Sequence, residues 1–474
     1  MPQNHSPALR RAIRLPHATA MVAGTIIGAA IFVQPSEITG QVSSIGGVFL
    51  VWLAAGALTM VGALVCAEYA SVFSRTGGVY VYLNRVYAPW MGFLWGWAMF
   101  WSVHSGIIAA IAMVFARYLA YFLPLDADGQ RLAAVASIGL LTAVNYWGVR
   151  QGSLLQTLFT WGKVAVILVL VVLGFAFGSR LPGHFQSSPA ESDWLSAGSF
   201  LTALIAGLFA FGGWHMVTYN AGETVQPRKT IPRSLVLGTL IVTGCYLALN
   251  AVYLYILALE EVASSTRVAA DAADALFGSG GGSFLSGLVI FSTFGALSGI
   301  ILAGPRVYLS MARDGLLFRW AAAIHPQYQT PHRALLLQAV WSGVLVWTGT
   351  YRELFTRVIY TEWLFFGLLA VGLGRLRQME VQDGADSLDR FRMWGYPFLP
   401  GVFALASLAI VINQVWSSPG QSLTGLGLVV AGLPVYFLWS WWSRSGKEFG
   451  AEAQRVQEEK EERRRKENDG HAGD

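Results

Sequence analysis

The sequence predicts an all-α integral membrane protein with 12 transmembrane helices. Three observations lead there. Only 12% of its 474 residues are charged, about half the roughly 25% of a soluble domain. The chain is 54% apolar and carries 18 Trp, which excludes disorder, since disorder needs low hydrophobicity. Its apolar residues also gather into runs of membrane-crossing length, at about 20 residues per crossing.

In order, those runs lie at 18–38, 46–73, 90–122, 132–147, 154–178, 197–221, 234–258, 284–312, 335–349, 354–374, 396–416 and 424–443. The fourth and ninth are short. Before the first run, residues 1–17 carry Arg10, Arg11 and Arg14 without a cleavable small-residue site, so they read as a cytoplasmic arm and not a signal peptide. Placing that arm inside puts 24 Lys and Arg on the inner side and 4 on the outer; without the tail the ratio is 16 to 4. Basic residues concentrate on the cytoplasmic side, so both termini are expected there. The tail, 444–474, holds 17 charges. Glu459/Arg463, Glu461/Arg465 and Glu462/Lys466 are spaced i,i+4 in the favourable order, as on a solvated helix. Cys66 and Cys245 both sit in apolar runs, so no extramembrane disulfide is expected.

The first and sixth runs carry the informative residues. The first reads Gly24-Thr-Ile-Ile-Gly28-Ala29-Ala30-Ile31-Phe32, the sixth Phe209-Ala210-Phe211-Gly212-Gly213-Trp214. Glycine inside a helix costs about 1 kcal/mol relative to Ala. Close helix packing through small residues would account for either run alone. Their places are five runs apart, however, and five is odd, so a repeat of that length would be inverted. Interrupted segments at corresponding places of two halves point to a binding site at the membrane midplane. Free N–H groups there suit a carboxylate and free carbonyls an ammonium. A zwitterion fits both.

These residues resemble the APC superfamily, specifically its L-type amino acid transporter (LAT) family. Besides the two runs, Ala67-Glu68-Tyr69 with Arg75-Thr-Gly77-Gly78-Val-Tyr80, Ala221-Gly222-Glu223 with Pro227-Arg-Lys and Ile231-Pro232-Arg233, Ser292-Thr-Phe-Gly295 and Ala312-Arg313-Asp314-Gly315 are similar to its signatures. The resemblance spans the transport core, taken as 18–374. It implies a 5+5 inverted repeat (18–178 and 197–374) with discontinuous helices 1 and 6, two extra helices in 396–443, and alternating access. It implies a sodium-independent exchanger of small neutral L-amino acids, with a proton-coupled symporter as the alternative. A polyamine or cationic amino acid antiporter would need an acidic lining, and the two broken runs carry only Glu37 and Glu223 at their ends.

Carried over residue by residue, Gly28, Ala29 and Ala30 offer N–H groups to the substrate carboxylate. Carbonyls at Ile27, Phe209, Ala210 and Phe211 take the amino group. Phe209 gates the site, Gly212 leaves room for the side chain, and Trp214 borders it. The chain departs from the family at Ala29-Ala30, where a small polar residue and glycine are usual, and at His215, where Asn is usual. The added methyl groups favour small or medium substrates.

An ionisable residue within a span is costly and marks a functional candidate. Lys163 in the fifth run is either a snorkelling lysine or, as the resemblance implies, a stand-in for sodium that bridges the first and eighth helices. Glu362 is either an interfacial carboxylate, or a gate or proton site near the first and sixth helices. His215 and His104 are interior histidines or proton relays. Glu68 is expected to pair with Arg14 or Arg75, for gating or for positioning. Arg306 faces the bundle or snorkels inward. No HExxH, GxSxG or span-facing acid–His cluster supports an enzyme, and no repeated filter supports a channel. No cofactor or metal is expected. Human LAT relatives bind a single-span heavy chain through a cysteine between helices three and four; residues 123–130 have none, so no disulfide-linked heavy chain is expected.

Overall fold

The computed structural model describes residues 11, 13–28, 30–178, 196–278, 280–349, 351–382 and 390–442. The charged tail and Ala29 lie outside them. Among the described residues the chain is helical, and the single bridge between extended segments joins Ile13 to Thr224.

Eighteen α-helices follow in order: α1 (Leu15–Ile26), α2 (Gln34–Gln41), α3 (Ile45–Val72), α4 (Val79–Val86), α5 (Pro89–Ala98), α6 (His104–Leu119), α7 (Ala127–Tyr146), α8 (Val149–Phe177), α9 (Ala197–Ala210), α10 (Pro227–Ile256), α11 (Leu259–Ser264), α12 (Val268–Phe277), α13 (Gly281–Ala303), α14 (Pro305–Arg313), α15 (His332–Thr348), α16 (Tyr351–Gln382), α17 (Phe398–Ser417) and α18 (Pro419–Val430). Starts are fixed locally. Ser44, Asp126 and Ser196 cap α3, α7 and α9 by accepting from the amides of Gly47, Gly129 and Ser199, which satisfies helix donors that have no partner within the helix. Proline stands in the first turn of α1, α5, α10, α14 and α18, where its missing N–H costs nothing.

Eight stretches among the described residues are long and apolar enough to cross a membrane. They coincide with eight of the predicted runs. The other four runs also fall on helices: 18–38 on α1 and α2, 132–147 on α7, 335–349 on α15 and 354–374 on α16. None joins the eight. α1 is only 12 residues long before it breaks, α7 opens with Asp128 and Arg131 in its first turns, and α15 has 17 residues.

The position of α1 organises the rest. Every residue from Ala18 to Ile26 is buried, and α1 touches α8, α10, α13 and the stretch after α9. A helix apolar all round belongs in the centre of a bundle. Gly24 lets α8 approach, since a Cβ there would lie 2.0 Å from Thr160 Oγ1. Ion pairs lock the far segments. Glu68 of α3 accepts from Arg377 of α16 at 2.7 and 2.9 Å, and from the Met393 amide at 2.9 Å. This corrects the expected pairing with Arg14 or Arg75; Arg75 meets Asp314 at 2.7 Å instead. Arg377 lies 309 residues from Glu68, so chain proximity was no guide. Arg306 does not snorkel: it forms a buried fork with Glu223 at 3.0 and 3.1 Å, the geometry a planar guanidinium favours.

Candidate functional site

Two helices stop inside the bundle. α1 ends in a tight turn on Ile27, whose φ of −70° and ψ of 83° match an inverse γ-turn. The Gly28 amide accordingly donates to the Ile26 carbonyl at 2.7 Å. A short 3-10 turn, Ala30–Phe32, leads on to α2. α9 ends at Ala210; Gly212 then donates to the Phe209 carbonyl at 2.9 Å. Gly213 takes φ +96°, and the chain runs on as a 3-10 stretch over Trp214–Glu223. A side chain at Gly213 would be strained by that φ and would also sit 3.2 Å from the Thr25 carbonyl.

The two breaks face each other across a cavity of about 20 Å³, room for about one water molecule. α1 contributes Thr25 and Ile26, and Gly28 and Ala30 follow it. From the other break come Phe209, Gly212, Gly213 and Met216. Ile107 and Ile111 of α6 and Ile300 of α13 close the remaining sides. No charged side chain is among them. Of the residues read from the sequence, Gly28, Ala30, Phe209 and Gly212 thus line the cavity. Ile27, Ala210, Phe211, Trp214 and His215 lie outside its walls, and Ala29 lies outside the described residues.

The reason is visible in the hydrogen bonds. The Ile27 carbonyl turns to Lys163, whose Nζ donates to it at 3.0 Å and to Gly24 O at 3.4 Å. Lys163 is 3% exposed, so it does not snorkel. Both of these bonds go to the first helix. The Ala210 carbonyl accepts from the Tyr246 hydroxyl at 2.9 Å, and the same hydroxyl lies 2.9 Å from the Ile26 carbonyl. Tyr246, on α10, therefore ties the end of α1 to the end of α9. Sequence reasoning passed over it, as it did Thr25, Ile107, Ile111, Met216 and Ile300. Nothing in their local pattern separates them from other residues of apolar spans. Thr25 was the exception in kind: its hydroxyl reaches Gly213 O at 3.2 Å, a polar group placed where the second break passes.

Trp214 and His215 point away, into an aromatic box. The His215 ring is 4.9 Å from Phe366, 5.4 Å from Trp214 and Tyr219, and 5.9 Å from Trp95. Its Nε2 stands 3.7 Å from Glu362 Oε1, with the two side chains 0% and 2% exposed. Glu362 is thus no interfacial carboxylate; α16 carries it inward to a partner. Both ring nitrogens of His215 and Oε1 of Glu362 lack a hydrogen bond among the described residues. His104 is equally buried, with Nε2 2.8 Å from the Ile300 carbonyl. Glu68 lies apart from all this, in the α3–α16 lock.

Facing broken helices around a small uncharged cavity, clamped by a buried lysine, suit a carrier that must shut on each side in turn. Comparison with known proteins decides the family. Residues 13–439 match the family model described as amino acid permease. The chain belongs to the amino acid permease family. Among its relatives, the serine/threonine exchanger SteT of Bacillus subtilis (strain 168) is 31% identical over 435 residues, covering 90% of this chain and 97% of that one. The Asc-type amino acid transporter 1 of Mus musculus is 28% identical over 464 residues, covering 93% and 83%. The large neutral amino acids transporter small subunit 2 of Homo sapiens is 29% identical over 460 residues, again covering 93% and 83%. This permease is a LAT-like, multi-pass membrane protein of amino acid transport and not an enzyme.

Proposed function

We propose that this permease exchanges small neutral L-amino acids, independently of sodium, by alternating access through the cavity between the two breaks. The observation that carries the reading is that cavity: its lining has no charge to hold a cationic side chain, and Ile107, Ile111, Met216 and Ile300 leave little width for a large one. A cavity of about 20 Å³ holds no amino acid, so its walls part on loading. Opening the γ-turn frees the Gly28 amide for a carboxylate, beside those of Ala29 and Ala30. The carbonyls of Ile27, Phe209, Ala210 and Phe211, each with a second lone pair, receive the ammonium. Phe209 is the gate and Trp214 and His215 back the second break. Sodium independence rests on Lys163, whose ammonium already occupies the carbonyls of Gly24 and Ile27. The relative named a serine/threonine exchanger supports both exchange and small substrates.

The reading includes twelve spans with both termini cytoplasmic, a core of 18–374 built as a 5+5 inverted repeat, and action without a disulfide-linked heavy chain. Counterflow in proteoliposomes tests it. Labelled alanine or serine is expected to enter vesicles preloaded with unlabelled amino acid, with or without sodium, and to be outcompeted poorly by lysine and tryptophan. Equal uptake into empty and preloaded vesicles refutes exchange.

One observation favours a second reading, proton coupling. His215 and Glu362 share a sealed box at the second break, and a single proton on the pair leaves it neutral overall, the favoured state away from water. An inward proton gradient is then expected to drive alanine accumulation, and Glu362→Gln to remove that drive while sparing counterflow. Accumulation that ignores the gradient eliminates this reading.

A further inference from the structure

A crevice of about 450 Å³, sharing no lining residue with the substrate cavity, opens on the flank of the bundle. α5 and the wide π-type turn after it, Met99–Val103, form one wall. α14, the segment 316–321, α15 and the helical residues beyond α18 form the others. The mouth is open, since Phe318, Trp320, Val340 and Val435 are 60%, 51%, 68% and 36% exposed. The floor exists because Gly96 has no side chain; a Cβ there would lie 2.0 Å from Met311 Sδ.

The wall is hydrocarbon by construction. Three of its indoles have already spent their N–H groups on backbone carbonyls: Trp97 on Leu428 at 2.8 Å, Trp341 on Trp101 at 3.1 Å and Trp439 on Gly315 at 2.8 Å. The crevice therefore shows ring faces and aliphatic carbon to its occupant, and a zwitterionic amino acid gains nothing there. At a diameter of at least 10 Å, a partner helix would enter 450 Å³ over only about one turn. A flexible hydrocarbon chain fits. Trp101 also borders a second crevice of about 300 Å³, between α15 and α18.

One edge of the mouth is cationic. Arg319 is exposed between Phe318 and Trp320. Arg333 lies with its guanidinium carbon 5.5 Å from the centre of the Trp320 ring. Arg313 is exposed one turn before the crevice segment, while the nearby carboxylate, Asp314, is engaged by Arg75 and Tyr80. An arginine–tryptophan edge above an apolar slot matches the bilayer interface, where aromatic rings and basic residues gather at headgroup level, and arginine forks suit phosphate.

We infer that this crevice is a binding site for an anionic phospholipid, one acyl chain seated between α5, α14 and α15 and the headgroup phosphate held by Arg319 and Arg333. It needs neither the substrate cavity nor the proposed exchange.

The test uses the full chain in proteoliposomes containing phosphatidylglycerol or phosphatidylcholine, each with the same photoactivatable acyl chain, and maps labelled peptides by mass spectrometry. Phosphatidylglycerol is expected to label residues 93–101 and 337–341 in excess over phosphatidylcholine. Arg319→Gln with Arg333→Gln is expected to lower that labelling roughly fivefold per arginine, down to the phosphatidylcholine level. Val340→Trp, at an exposed position of the mouth, is expected to lower it with both arginines in place. Counterflow by each variant reports that the chain is folded. Equal labelling by the two lipids in the unsubstituted protein overturns the proposal in favour of ordinary bilayer contact, and so does labelling confined to other faces.

Discussion

At the end of α1 the chain leaves the helix through Ile27 with φ −70° and ψ 83°, a turn open to any residue. At the end of α9 it passes through Gly213 at φ +96°, a conformation that L side chains rarely adopt. The first break carries little instruction in its own backbone and is held from outside, by Lys163 of α8 on the carbonyls of Gly24 and Ile27. The second is written into the chain as glycine and backed by the box of Trp95, Tyr219 and Phe366 around His215. One hydroxyl, that of Tyr246, touches both. A break held from outside can be released by moving its neighbour. A break set by glycine persists while its surroundings move.

Substitutions can separate the two. The largest effect is expected from Lys163→Ala, which removes two charge-assisted hydrogen bonds worth about 1.5–3 kcal/mol each; counterflow should fall on the order of 100-fold, and unchanged transport would show that the first break holds itself. Next comes Gly213→Ala, which imposes a strained φ costing about 1–3 kcal/mol and should lower the thermal midpoint of the purified protein. Its counterpart at the first break, Gly28→Ala, meets nothing nearer than Ala296 Cβ at 3.4 Å, ordinary contact, so the midpoint should hold. Equal midpoints for the two variants would erase the distinction drawn between the breaks. A modest loss of stability is expected from Tyr246→Phe, about 1 kcal/mol for a neutral hydrogen bond. Its value lies in the transport assay, where loosening both breaks at once should alter exchange more than the modest stability change suggests.

The glycines made the second break readable in advance. Gly212 and Gly213 taken alone also fit close helix packing; it was their distance from Gly24 and Gly28 that gave the pairing of the two segments. The first break was found through that pairing rather than through its own residues: Gly24 proved to serve packing against Thr160, and the turn fell on Ile27. The walls at Ile107, Ile111 and Ile300 were unreadable because an isoleucine facing a cavity and one facing a neighbouring helix satisfy the same apolar pattern. The partners of Glu68 and Arg306 were missed for a related reason. A buried charge announces that it needs a counter-charge, but not which of the distant ones the fold brings near.

The sequence by itself determined the membrane, the helices and the two interrupted segments, since each follows from composition, hydrophobic runs and the conformational freedom of glycine, all local properties of the chain; the family was legible only through the resemblance of its motifs. Only the tertiary structure decided that Lys163 clamps the first break, that Tyr246 joins both, that Glu362 meets His215, and that three tryptophans turn their polar edges away from an open crevice. Those are contacts between residues tens to hundreds of positions apart, and the packing of whole helices is what selects them.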